Sequence, residues 1–94
     1  KFCRVKEGPH QKSSYHLYVV RVRERPKLIT YMQKHDIFLG IHYFPCNHIN
    51  GLLSKKSSKL PVTEKIIDEV ISLPIFPELR VKDQIQIIKL LNEF

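Results

Sequence analysis

Apolar positions along the chain change their spacing several times, and each change marks an element. From His16 to Val22 the sequence reads H-L-Y-V-V-R-V, rich in β-branched and aromatic residues and alternating well enough for a half-buried strand. Pro26 suits the first turn of a helix, because its missing N–H has no helical partner there, and Leu28, Tyr31, Met32 and His35 follow at helical spacing. This helix is expected to run to about His35. Lys34 and His35 meet the negative end of its dipole, and Asp36 takes the left-handed conformation beyond it. Ile37 to Tyr43, I-F-L-G-I-H-Y, predicts a second strand, after which Pro45, Asn47, Asn50 and Gly51 break the pattern. Asn47 to Leu60 reads as a long polar loop containing S-K-K-S-S-K, either a solvated excursion or a phosphate-facing loop. Pro61 opens a second helix through Glu64, Ile66, Ile67 and Val70. Ile71 to Phe76, interrupted by Pro74 and closed by Pro77, predicts a short edge strand.

The last element, Val81 to Phe94, places Val81, Ile85 and Ile88 on one face and Ile87, Leu90, Leu91 and Phe94 further round. At about 100° per residue these side chains cover more than half the circumference, wider than the stripe of a surface helix on one sheet. A second surface, from another part of a longer chain or from another subunit, is therefore expected over Leu90 and Phe94. At the other end, the Gly- and Pro-containing stretch from Lys6 to Ser14 reads as loop. The organisation expected is a lead-in over residues 1–14 and a single domain over 15–94.

Ninety-four residues suit one compact core, burying roughly 60 to 65% of the unfolded surface. The only methionine is Met32, so the start at Lys1 is expected to be a cut made in a longer chain. Apolar runs fall far short of the ~20 residues that span a bilayer, and no membrane partner is expected. Cys3 and Cys46 lack C-x-x-C spacing and are too few for a disulfide framework, which points to reduced thiols and the cytoplasm. The net charge of +7 is spread along the chain and reads as solvated faces, although clustered cations would attract phosphate.

The search for chemistry is mostly negative. Gly8, Gly40 and Gly51 are too scattered for a dinucleotide fingerprint or a P-loop. His10, His16, His35, His42 and His48 share no zinc-finger spacing with cysteine, so no metal is expected. Cys46 with His42 or His48 lacks a recognisable third group for nucleophilic catalysis. What stands out is His42-Tyr43-Phe44-Pro45, where two polar-tipped rings end a strand as the chain becomes irregular. Imidazole and phenol can both donate hydrogen bonds to phosphate or sugar oxygens. By residue type alone they read as ordinary packed rings.

Four stretches in order resemble the C-terminal end of the DegT/StrS-type nucleotide-sugar aminotransferases. They are S-Y-H-L-Y-V-V-R-V from Ser14 to Val22 with Arg25 after it, H-Y-F-P from His42 to Pro45, Leu60-Pro61 with Glu64, and S-L-P-I-F-P-E-L from Ser72 to Leu79 ahead of the final helix. The resemblance implies an α+β fold, a short and mostly antiparallel sheet covered by about three helices, as in the small C-terminal domain of fold-type-I aminotransferases. The parent enzyme would be a homodimer whose large N-terminal domain, the partner of this one, holds pyridoxal phosphate on a lysine. It would transfer an amino group, usually from glutamate, to a keto group of a nucleotide-linked sugar. His42 and Tyr43 would then line the substrate cleft as positioning residues. The chain lacks the Schiff-base lysine, so no catalytic residue is expected in it and the piece alone should be inactive.

Three positions depart from the family pattern: Asp36 stands for a common glycine, Asn47 takes the place of a second histidine that here falls at His48, and Arg80 replaces a serine or threonine cap. Two other readings need no parent enzyme. One is a basic nucleic-acid-binding module, disfavoured because Tyr15 and Tyr18 are expected on opposite faces of the first strand and the consensus of four-stranded RNA readers is missing. The other is a regulatory or structural α+β domain. Salt-dependent RNA binding separates the two.

Overall fold

The computed structural model describes residues 2–4, 6–46 and 59–94. Three strands form one antiparallel sheet in the order β1-β2-β3, with β1 at Cys3–Arg4, β2 at Tyr18–Arg21 and β3 at Val70–Leu73. Three helices complete the element order: α1 at Arg25–Gln33, α2 at Pro61–Ile67 and α3 at Val81–Glu93. The α+β architecture read from the sequence is borne out. Strand β1 lies in the expected lead-in, pairing Cys3 with Arg21 and Arg4 with Val20; two residues are too short a run to show periodicity.

Opposed residues of an antiparallel pair share a face, so the β2–β3 register divides the sheet in two. Val20 with Ile71 and Tyr18 with Leu73 lie on one face, Val19 with Ser72 and Arg21 with Val70 on the other. The first face meets the helices: Val20, Val22, Leu28, Met32, Ile71, Ile87 and Leu90 form the core. Leu28 and Met32, one helical turn apart, are wholly buried.

Helix α1 starts with Pro26 in its first turn and ends as expected. Asp36 has φ 59°, its N–H donates to the Gln33 carbonyl, and the Ile37 N–H reaches back to the Met32 carbonyl, the paired bonds of a left-handed helix terminus. The second predicted strand is not formed. Of Ile37 to Tyr43 only Gly40 bridges, exchanging two backbone hydrogen bonds with Ser72 at 3.0 and 2.7 Å. Ile37 and Leu39 pack on the core, and beyond Gly40 the His42 ring lies against the bridge, where the ladder ends after one pair. Strand β3 is thus the last full strand, as its prolines suggested.

Helix α2 also stops earlier than its apolar spacing implies, because Val70 is a strand residue. The reason lies next to it: the Glu69 carbonyl accepts from the Val22 N–H and its carboxylate pairs with Arg21, which draws the chain into the ladder. The expected loop falls at residues 47–58, outside the described residues, apart from its end at Lys59 and Leu60. Tyr15 stands ahead of β2 with φ 52°, so it does not share a strand with Tyr18.

On helix α3 the chain's own core takes Leu90, where a second surface was expected, while Phe94 stays partly exposed. Leu90 is buried in the core and Phe94 packs against it, its ring 5.5 Å from that of Tyr31. The uncovered side chains are those of the other face, with Val81 at 69%, Ile85 at 60% and Ile88 at 58% exposure. The wide arc therefore splits between a core-facing side and an outward ridge.

Candidate functional site

His42 and Tyr43 stand where the Gly40 bridge ends, at the outer edge of β3. The His42–Tyr43 and Phe44–Pro45 peptide bonds are both cis. The rings meet edge to face with centroids 5.4 Å apart, and Tyr43 and Phe44 are largely solvent-exposed. Cys46, further along, is buried and unbridged. The structure keeps the two predicted site residues together and outward, while the residues that follow, His48 among them, lie outside the described residues.

The imidazole is held from the sheet. Its Nδ1 lies 3.0 Å from the hydroxyl oxygen of Ser72, the residue whose N–H and C=O already serve Gly40. Ser72 is a buried polar side chain on the sheet face opposite the core. A Cβ on Gly40 would come closer than 3.0 Å to the His42 ring, so the bare α-carbon is what lets the ring lie flat over the bridge. Sequence reading missed both supports. Ser72 looked like an ordinary strand residue, and the signal available was the glycine inside an apolar run, a mark of close approach.

Charged groups frame the sheet without converging on the rings. Arg21 pairs with Glu69 and holds its carboxyl below the usual range, chiefly by hydrogen bonding. Arg25 donates to the carbonyls of Ile67 at 2.6 Å and Val70 at 3.2 Å, tying the start of α1 to the α2–β3 junction. Glu7 accepts from the Ser13 N–H at 2.8 Å, which with the Tyr15 hydroxyl lowers its pKa; Glu7 in turn raises the pKa of the Tyr15 phenol. Among the described residues no group of acidic, histidine and cysteine side chains could hold a metal.

An open apolar groove of about 620 Å³ runs between the sheet and α3, lined by Tyr18, Leu73, Phe76, Ile88 and Leu91 among others. It lies on the core side of the sheet, so the rings and the groove do not form one site. Among the described residues no helix is long and apolar enough to cross a membrane.

The order of elements recurs in known proteins. The family model for the DegT/DnrJ/EryC1/StrS aminotransferase family matches residues 1–92. A "Pleiotropic regulatory protein" of Geobacillus stearothermophilus is 30% identical over 83 residues, covering 85% of this chain and 22% of its own. The dTDP-3-amino-3,6-dideoxy-alpha-D-galactopyranose transaminase of Aneurinibacillus thermoaerophilus is 31% identical over 81 residues, again 85% of this chain and 22% of that protein. The crystal structure of a DegT DnrJ EryC1 StrS aminotransferase from Brucella abortus superposes with a TM-score of 0.90 at 25% identity, covering 99% of this chain and 26% of that one. The chain thus spans about a quarter of the length of the proteins it matches. A family match along nearly its whole length, on the fold that its sequence order implied, places this chain in the DegT/DnrJ/EryC1/StrS aminotransferase family.

Proposed function

We propose that the chain is the C-terminal small domain, residues 15–94 behind a lead-in of 1–14, of a pyridoxal-phosphate-dependent aminotransferase that moves an amino group from an amino acid to a keto group of a nucleotide-linked sugar. The observation that carries this reading is the family match over residues 1–92. The sugar comes from the name of the transaminase relative, which specifies a dTDP-linked amino sugar. A homodimeric, cytoplasmic parent belongs to the same reading and rests on resemblance to the family.

The described residues do not fit the cofactor as its holders. Attachment needs a lysine desolvated enough to act as a nucleophile, and every described lysine is exposed. The cofactor, which supplies the carbanion chemistry, belongs in this reading to the large N-terminal domain. This chain supplies orientation: the His42 imidazole and Tyr43 phenol, fixed at the sheet edge, offer hydrogen bonds to sugar or phosphate oxygens at the domain boundary.

The test is an assay of the full-length protein that carries this chain, with a nucleotide-linked keto sugar and an amino donor. A visible absorption band of bound cofactor, transamination, and a raised KM for the sugar nucleotide in His42→Ala and Tyr43→Phe are the expected results. A full-length protein with neither band nor transamination overturns the reading.

A further inference from the structure

We propose that Ser72 is the positioning residue of His42, and that it fixes the ring as the neutral tautomer protonated on Nε2, so that His42 meets the sugar nucleotide as a hydrogen-bond donor. The ligand half of this inference rests on the function proposed above; the tautomer half rests on geometry alone.

Ser72 is 4% exposed, and among the described residues its hydroxyl has one hydrogen-bond partner, His42 Nδ1 at 3.0 Å. The residue's N–H and C=O are both committed to Gly40. A hydroxyl can donate or accept, but the two choices are unequal here. If Nδ1–H donated to the serine oxygen, the buried hydroxyl proton would be left without an acceptor and would bear its full desolvation. If the hydroxyl donates to the Nδ1 lone pair, both groups are satisfied. The ring proton then sits on Nε2, the nitrogen without a partner among the described residues.

Gly40 makes the arrangement possible by leaving room for the ring. Three residues therefore act together. Gly40 admits the imidazole, Ser72 sets its rotation and tautomer, and His42 presents Nε2–H as a donor suited to hydroxyl or phosphate oxygens. A neutral ring so held is not a proton-abstracting base, because its one basic nitrogen is occupied by Ser72.

The experiment uses the full-length protein with 13C- and 15N-labelled histidine, the His42 signals being assigned by their loss in His42→Gln. The shifts should report the Nε2–H tautomer, and Ser72→Ala should move them toward the tautomer average. In steady-state assays Ser72→Ala and Gly40→Ala should each raise KM for the sugar nucleotide about three- to tenfold, with KM for the amino donor unchanged. Ser72→Ala added to His42→Ala should cost nothing further. A purely structural serine would instead lower thermal stability, weaken both substrates together and add to His42→Ala. An Nδ1–H signal in the unsubstituted protein overturns the tautomer assignment. A raised KM in His42→Ala with none in Ser72→Ala overturns the positioning role. If His42→Ala leaves KM unchanged while the unsubstituted protein shows the Nε2–H signal, the substrate-facing reading of His42 fails and takes the ligand half with it.

Discussion

At the scale of single residues, two arginines show how unlike their contributions can be. Arg25 is partly buried and donates to two backbone carbonyls that close the α2–β3 junction. Removing it leaves those acceptors short of a charge-assisted partner, so Arg25→Met is expected to cost about 2 kcal/mol, read as a lower urea midpoint. Arg80 lies at the surface; its guanidinium reaches both carboxylate oxygens of Asp83 at 2.7 and 3.2 Å. It cannot accept from the first amides of α3, as its sequence position implied, and serves instead by holding a carboxylate near the positive end of the helix dipole. Hydrogen bonding from Arg80 lowers the pKa of Asp83, and Arg21 and Ser13 do the same for Glu69 and Glu7. Each folded value lies below its unfolded one, so each group stabilises fully above the unfolded value and loses that contribution as pH falls through the folded one. Stability should decline with acid from about pH 5 downward, and Glu69→Gln should flatten the decline in urea titrations at several pH values.

At the scale of elements, the helices were the most legible parts of the sequence. Pro26, the spacing of Leu28 and Met32, and the cap at Asp36 all appear as expected, because local sterics and one buried stripe decide them. The strands were legible as apolar runs but not in their pairing. Whether Ile37 to Tyr43 makes a ladder or a single bridge depends on a side chain folding back over a glycine, which periodicity does not encode. The candidate site was legible as His42 and Tyr43, whereas its support from Ser72 comes from a strand thirty residues on. Helix α1 owes its place to burial more than to propensity. Met32→Ala, at a position with no exposed surface, should destabilise by about 2 to 5 kcal/mol in chemical denaturation, with the slope of the transition unchanged.

At the scale of the whole molecule, the outward ridge of Val81, Ile85 and Ile88 distinguishes residues that hold the domain together from those that do not. Replacing Ile85 and Ile88 by lysine together should change the stability of this chain, read by urea denaturation, by no more than about 0.5 kcal/mol per site. The β2–β3 ladder has a different consequence. Its partners, Tyr18 with Leu73 through Arg21 with Val70, lie more than half the chain apart, while α1 can wind within a few residues of itself. The central strand pair must therefore meet by diffusion of a long intervening tether. The entropy of that closure grows only with the logarithm of tether length, so evolution could lengthen the segment between these strands at little thermodynamic cost, and the speed of folding is set by the rarest encounter in the sheet.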